Sequence, residues 1–293
     1  MKKVGVAILG LGVVGGGTYK ILKEHRELYQ KSHKIDIVVE AVLERNRDKA
    51  VALGIEAEKI AANIQEICSN PDVDIVVEVM GGVEPAKTFV LDCLRAGKSV
   101  VTSNKELFCK YNHELEVAAK KNHCGLFYEA SCVGGVPVIR ALLDNLQGNK
   151  ILSMMGIING TTNYILTKMA SEGAAYEDVL KEAQKLGYAE ANPSSDVEGY
   201  DATYKLSILS SLAFHTKIPY TKIYREGITG ISVKDIEYGK KFGYVLKLLA
   251  IGKNGDNGIE VRVHPSFIKN SHPLASVNDS YNAVYITGDC VED

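Results

Sequence analysis

Residues 4–15 read Val4-Gly5-Val6-Ala7-Ile8-Leu9-Gly10-Leu11-Gly12-Val13-Val14-Gly15, a short apolar run delivered straight into G-x-G-x-x-G. With a strand before it and a helix after it, each glycine of such a loop has its own task. The first allows a tight turn, the second lets backbone approach a pyrophosphate, and the third lets helix and strand pack closely. The helix that follows presents unpaired N–H groups to phosphates. Three glycines alone fit any strand-to-helix turn; the flanking pattern favours a dinucleotide held by Gly10, Leu11, Gly12, Val13, Val14 and Gly15.

The same alternation continues along the first half. Residues 4–9, 35–43, 73–79, 99–102 and 125–128 read as strands, and residues 16–30, 47–53, 85–96 and 112–122 as helices between them. That order predicts an α/β fold, a Rossmann-type doubly wound parallel sheet. Val136-Pro137 opens a further helix with Ile139, Leu142, Leu143 and Leu146 as its inner stripe, and Gln147-Gly148-Asn149 closes it. The domain boundary is placed there, giving a nucleotide domain over 1–148 and a substrate and dimerisation domain over 149–293. After the second strand, Glu44 stands where an acid selects a ribose hydroxyl, while Arg45 and Arg47 suit a 2′-phosphate, so NAD and NADP both remain open. Lys105, in Ser103-Asn104-Lys105, follows the fourth strand at the edge where such sheets bind ligands, and can meet a nicotinamide or a substrate oxygen.

Composition narrows the partners. With 34 basic and 36 acidic side chains among 293 residues, the net charge of −2 provides no broad field for nucleic acid. No apolar run reaches the ~18 residues of a membrane span, and Met1-Lys2-Lys3 leads into a strand without a signal-peptide core, which points to a cytoplasmic protein. Six cysteines lie scattered without the spacing of a zinc site or disulfide framework, and read as free thiols. A small-molecule ligand is favoured.

The second half has a different grammar, α+β. A strand over 151–157 precedes helices over 162–171, 176–186 and 197–214. A turn at 253–258 then joins strands near 248–251 and 259–263, and another strand spans 282–287. An apolar sheet here suits a homodimer interface. Asn159-Gly160-Thr161-Thr162-Asn163 suits helix capping when taken alone, with a site as the alternative. Gly187 ends a helix just ahead of Glu190, and Ser195 with Glu198 has capping-box spacing for the next helix. Asp201 and Lys205 are four residues apart and share a face whose stripe runs on into Ile208 and Leu212, so the pair is expected to point inward, towards a pocket.

These residues together resemble homoserine dehydrogenases, through Gly10-x-Gly12-x-x-Gly15, Val101-Thr102-Ser103-Asn104-Lys105, Glu129-Ala130-Ser131-Cys132-Val133-Gly134-Gly135-Val136-Pro137, Asn159-Gly160-Thr161-Thr162-Asn163-Tyr164-Ile165 and Asp196-Val197-x-Gly199-x-Asp201-Ala202-x-x-Lys205-Leu206. The resemblance implies NAD(P)-dependent interconversion of L-homoserine and L-aspartate 4-semialdehyde, in the aspartate route to threonine and methionine. It implies Lys205 as the proton-transferring lysine, Asp201 and Glu190 as holders of the substrate's polar groups with Gly187 on the same side, and Lys105 as a site lysine. A monovalent cation, Na⁺ or K⁺, is implied at Glu129 with the backbone carbonyls of Cys132, Gly134 and Val136. Members of the family usually continue past the equivalent of Asp293, so the resemblance also implies a chain truncated at its C-terminus. The competing readings are a related amino-acid or semialdehyde dehydrogenase and a catalytically silent nucleotide-binding sensor.

Overall fold

A strand with apolar residues on both faces can be buried only in the middle of a covered sheet. Val6, Ala7, Ile8 and Leu9 are all 4% exposed or less, which makes their strand central. The computed structural model describes residues 1–290; residues 291–293, the end of the terminal stretch 288–293, lie outside the described residues. The chain divides into two units, Met1–Ser131 and Cys132–Asp293. This division falls ahead of the turn at 147–149, so residues 132–148 group with the second unit.

In the first unit, strands β1 (Lys2–Leu9), β2 (Ile35–Leu43), β3 (Ile75–Glu78), β4 (Ser99–Thr102) and β5 (Leu126–Phe127) form one sheet in the order β2-β1-β3-β4-β5. Every pairing is parallel. Because β2 lies to one side of β1 and β3 to the other, the carboxyl ends of β1 and β3 form the switch point at which doubly wound sheets bind ligands. Gly10 leaves β1 there, its N–H donating to Leu43 O at the end of β2 (2.9 Å).

Several helices differ from the periodicity. The stretch 16–30 is two helices, Val13–Glu24 and Arg26–His33, meeting at His25. Arg26 makes two bonds to the Asp36 carboxylate, 2.6 and 2.7 Å, and Gln30 adds a third at 2.8 Å, which ties the second helix to the start of β2. The helix Lys105–Lys121 begins well before residue 112 because Asn104 caps it, accepting from Leu107 N at 3.1 Å, and it is kinked at Tyr111. In the second unit, residues 138–145 are one short α-turn, Val138–Arg140, continued by the wider π-turn Ala141–Asn145. Widening rotates the stripe, so Ile139 and Leu142 are buried while Leu143, expected inside, is 40% exposed.

The second sheet runs β10-β6-β8-β9-β7, from β6 (Ile151–Ile157), β7 (Tyr224–Arg225), β8 (Tyr244–Gly255), β9 (Gly258–Lys269) and β10 (Ala283–Gly288). The β8–β9 hairpin is longer than its turn signal suggests: Lys253 pairs with Glu260 and Asn254 with Ile259, leaving only Asp256-Asn257 between Gly255 and Gly258. Opposite charges across the ladder keep the polar end of the hairpin paired. The expected helix over 197–214 is two pieces, Ser194–Val197 and Tyr200–Ala213. Gly199 separates them in the left-handed region (φ +79°), so Ser195 and Glu198 form no capping box, which occurs instead at Ser232 and Asp235.

Candidate active site

In the first unit the three glycines divide their labour as the motif requires. Gly10 is left-handed (φ +92°), a Cβ on Gly15 would lie 1.9 Å from Gly10 O, and a Cβ on Gly12 would meet nothing within 4 Å. The loop therefore turns at the first glycine, packs at the third and is open to an approaching group at the second. No side chain caps the helix Val13–Glu24, and Val13 stands 96% exposed beside Val14 at 54%, so the backbone of its first turn meets no protein cap. An anionic pyrophosphate fits such a terminus.

Glu44 reaches back to this loop. Its carboxylate accepts from Leu11 N at 2.7 Å and from Asn46 N at 3.0 Å. Burial works against the ionised form, but the two backbone N–H bonds outweigh it and hold the Glu44 carboxyl below the usual range. Arg45 is exposed, and Arg47 turns towards Ile60 O (3.5 Å).

At the carboxyl edge of β3 and β4 lies a group that periodicity does not single out. Glu78 is fully buried, accepting from Thr102 Oγ1 at 2.6 Å and from Met80 N at 2.9 Å. Asn104 donates to Gly82 O at 2.6 Å. Together they fix the Met80-Gly81-Gly82 loop and the start of the Lys105 helix, and Lys105 is half-buried at that first turn. An acid closing the apolar run Ile75-Val76-Val77-Glu78 was the available signal, since buried carboxylates are rare unless bonded.

The second unit carries a dense polar cluster. Lys205 Nζ lies 2.7 Å from Asp201 Oδ2 and donates to Ile158 O at 2.8 Å. Asp201 is 4% exposed, so the pair points inward as its helical stripe predicts. Asn159 joins it: Nδ2 donates to Asp201 Oδ2 (2.9 Å) and to Asp196 Oδ1 (2.7 Å), while Oδ1 accepts from Thr162 N (2.9 Å) and Thr162 Oγ1 (2.8 Å). Capping and site building are thus one act of the same amide. Thr161 Oγ1 donates to Tyr188 O at 2.7 Å and so holds the loop after Gly187. Glu190 stands exposed on that loop, its carbonyl accepting from Gln184 Nε2 at 3.0 Å. Asp196 is the member of this cluster that the spacing argument passes over, because it reads residues 194–198 as the start of a helix.

Glu129 lies in the short turn Glu129–Ser131 that closes the first unit, and Cys132, Gly134 and Val136 open the second. Within the second unit Val133 is left-handed (φ +45°), an uncommon setting for a β-branched residue, and Gly135 is left-handed too. Among the described residues no group of three or more His, Cys, Asp or Glu side chains is placed to hold a metal ion. None of the six cysteines forms a disulfide among the described residues.

A glycine loop at the switch point of a parallel sheet, with a buried acid–lysine pair on a second sheet domain, defines a nucleotide-dependent oxidoreductase. Comparison with known proteins takes this further. The profile described as homoserine dehydrogenase matches residues 137–293, and the one described as its NAD binding domain matches residues 10–129. The homoserine dehydrogenase of Bacillus subtilis is 42% identical over 291 residues, 99% of this chain and 67% of that protein. That of Corynebacterium glutamicum is 44% identical over 292 residues, 97% of this chain and 64% of its own length. A crystal structure of a homoserine dehydrogenase from Thiobacillus denitrificans superposes with a TM-score of 0.95 at 44% identity, covering 100% of this chain and 68% of that one. A hyperthermophilic archaeal homoserine dehydrogenase solved in complex with NADPH gives 0.82 at 28% identity, covering 99% of this chain and 89% of the other. The chain belongs to the homoserine dehydrogenase family. It spans about two thirds of the length of these bacterial relatives, and no helix among its described residues is long and apolar enough to cross a membrane.

Burial raises the Asp196 carboxyl above its usual range; Asn159 opposes the shift and the like charge of Asp201 adds to it. An acid whose folded pKa lies above its unfolded one costs stability when ionised. That cost is fully present above the folded pKa and absent below the unfolded one. Asp196→Asn should therefore melt at a higher temperature than wild type at neutral pH, with the gap closing as pH is lowered through the acid range. It should also turn over more slowly, because Lys205 loses a negative neighbour. Equal or lower stability at neutral pH would contradict the assignment.

Proposed function

We propose that the chain oxidises L-homoserine to L-aspartate 4-semialdehyde and runs the reverse reduction, with Lys205 as the proton relay. The observation that carries this is the anchoring of Lys205 Nζ between Asp201 Oδ2 at 2.7 Å and Ile158 O at 2.8 Å, on a chain of this family. An ammonium has three donors. Two are taken, and the third is available for the substrate oxygen. The nicotinamide supplies hydride chemistry, accepting or returning two electrons at the carbon that bears that oxygen. On oxidation Lys205 acts as the neutral amine, its two N–H donors on Asp201 and Ile158 O and its lone pair taking the hydroxyl proton; on reduction the ammonium so formed returns that proton to the aldehyde oxygen. Asp201 keeps the amine in place, and Asn159 keeps Asp201 in place.

The substrate's own ammonium calls for an acid, and Glu190, on the loop tethered by Thr161, takes that role in this reading through a charge-assisted bond. Lys105 acts from the first unit at the edge where a nicotinamide is expected. A Na⁺ or K⁺ ion on the carbonyls of Cys132, Gly134 and Val136, with Glu129 as the family match supplies it, accounts for the left-handed Val133, since an outlier of this kind persists only where something holds it. Exposed Phe267 and Ile259 on β9 and Tyr224 on β7 support a homodimer through the second sheet.

For the coenzyme, Glu44 favours NAD. Its carboxylate is tied to the glycine loop and ionised, which suits ribose hydroxyls and repels a 2′-phosphate. Glu44→Ser should raise the ratio of kcat/KM for NADP over NAD by roughly tenfold, the scale of ~1.4 kcal/mol. An unchanged ratio would mean that Arg45 sets the choice alone.

The relay itself is tested by Lys205→Ala. Turnover should fall by ~10²-fold or more, the usual scale for losing a positioned acid–base group, while coenzyme affinity stays near wild type. Wild-type turnover by this variant would end the proposal.

A further inference from the structure

Lys247, in the middle of β8, is 1% exposed and takes no part in the chemistry described so far. Lysines are almost never this deeply buried without compensation. Here the compensation comes from neutral oxygens converging on the ammonium: Val277 O at 2.6 Å, Asn163 Oδ1 at 3.1 Å and Asn278 Oδ1 at 3.1 Å. All three donors are used. Burial pushes the lysine down to about 8, partly offset by the charge of Asp279.

The partners of Lys247 lie on two elements. Asn163 belongs to the helix Gly160–Glu172, whereas Val277 and Asn278 lie on the segment that leads into β10. The segment is tied to the same helix by further bonds. Asn163 Nδ2 donates to Val277 O and to Tyr281 O, both at 3.1 Å, and Asp279 N donates to Thr167 Oγ1 at 3.1 Å. Asp279 itself is left-handed (φ +54°), so the bend needs these bonds to hold it.

The outcome of the bend is felt at the active cluster. A Cβ on Gly160 would lie 2.7 Å from Ser280 O, so the segment rests directly on the residue that follows Asn159. Two residues past Tyr281 the chain joins β10, where Ala283 pairs with Ile157 at the end of β6. The segment thus walls in residues 157–160, and within them lie the Ile158 carbonyl that anchors Lys205 and the Asn159 amide that anchors Asp201.

We propose that Lys247 is a positioning residue for the reaction: its ammonium gathers Asn163, Val277 and Asn278 as a bound cation would, seats residues 277–281 against Gly160, and so fixes the Ile158 carbonyl and the Asn159 side chain that hold Lys205 and Asp201. The inference rests on the reading of Lys205 as the proton relay. A side chain of similar length without charge, as in Lys247→Met, releases the oxygens and leaves the relay residues themselves unchanged.

The test compares Lys247→Met, Asn278→Ala and Lys205→Ala in homoserine oxidation, with kcat, the KM of each substrate, the pH profile of kcat and thermal melts for each protein. Lys247→Met should lose roughly tenfold or more in kcat, the scale of a sub-ångström to ångström misplacement, with coenzyme KM within about twofold of wild type. The limb of the pH profile that vanishes in Lys205→Ala should be displaced in Lys247→Met, which general loss of stability would not produce. Asn278→Ala, which keeps two of the three oxygens, should shift kcat and the profile in the same direction by less, and it decides the matter if Lys247→Met does not fold. If Lys205→Ala is impaired while kcat and pH profile are unchanged in folded Lys247→Met, or in Asn278→Ala where that protein does not fold, the inference about Lys247 falls alone. Wild-type turnover by Lys205→Ala would overturn the relay reading and this inference with it.

Discussion

One amide carries the geometry of the second unit. Asn159 has two donors and two acceptor positions, and all four are engaged: Asp196 and Asp201 on one side, the backbone and hydroxyl of Thr162 on the other. Since Thr162 N can only donate, Oδ1 must face it and Nδ2 must face the two carboxylates; the orientation is forced. A buried polar group left unpaired costs ~1–3 kcal/mol, so rotation of this side chain would sacrifice several bonds at once. The arrangement joins the end of β6, the cap of the Gly160 helix and the first turn of the Tyr200 helix at a point, and Lys205 is held where they meet. It also brings two carboxylates near one ammonium, an excess of negative charge that keeps Lys205 in place and makes Asp196 costly when ionised.

The first unit solves a matching problem with the same type of device. The first turn of the helix Val13–Glu24 has no side-chain cap, while three polar side chains near the edge are pinned. Glu44 is pinned by Leu11 and Asn46, Glu78 by Thr102 and Met80, and Asn104 by Gly82 and Leu107. Each Glu44 oxygen accepts one protein N–H and keeps a second lone pair, so the loop's shape is set before any coenzyme arrives. Pre-organisation of this kind lowers the ordering cost of binding.

Much of this was legible in the residues. The glycine loop, the strands at 35–43, 99–102 and 151–157, and the inward Asp201–Lys205 pair follow from alternation and helical spacing, because both report burial directly. What escaped was long-range. Asn159 is open between cap and site in the sequence, and Asn104 does not read as a cap because its helix is expected only from residue 112; both are caps, but the second half of each amide bonds to residues 22 and 37 or 42 positions away, which local pattern does not encode. Ser195 and Glu198 have capping spacing, yet Gly199 is left-handed and breaks the helix there, at a place where a Cβ would lie 3.4 Å from the side chains of Arg225 and Val263. Lys247 sits in the apolar run of β8 like an error, and only the converging oxygens of a segment some thirty residues later explain it.

The claim on which the rest depends is that an amine at position 205 moves the proton. Chemical rescue addresses it most directly: small alkylamines added to Lys205→Ala during homoserine oxidation, over a series of different basicity. Lys205 is 15% exposed, so its truncation opens a space that solutes can enter. The account predicts a saturable recovery of turnover whose size follows amine basicity, as Brønsted behaviour requires of a general acid–base group. Recovery that is equal for amines and for alcohols of the same shape would contradict it, reducing Lys205 to a space-filling part of the wall.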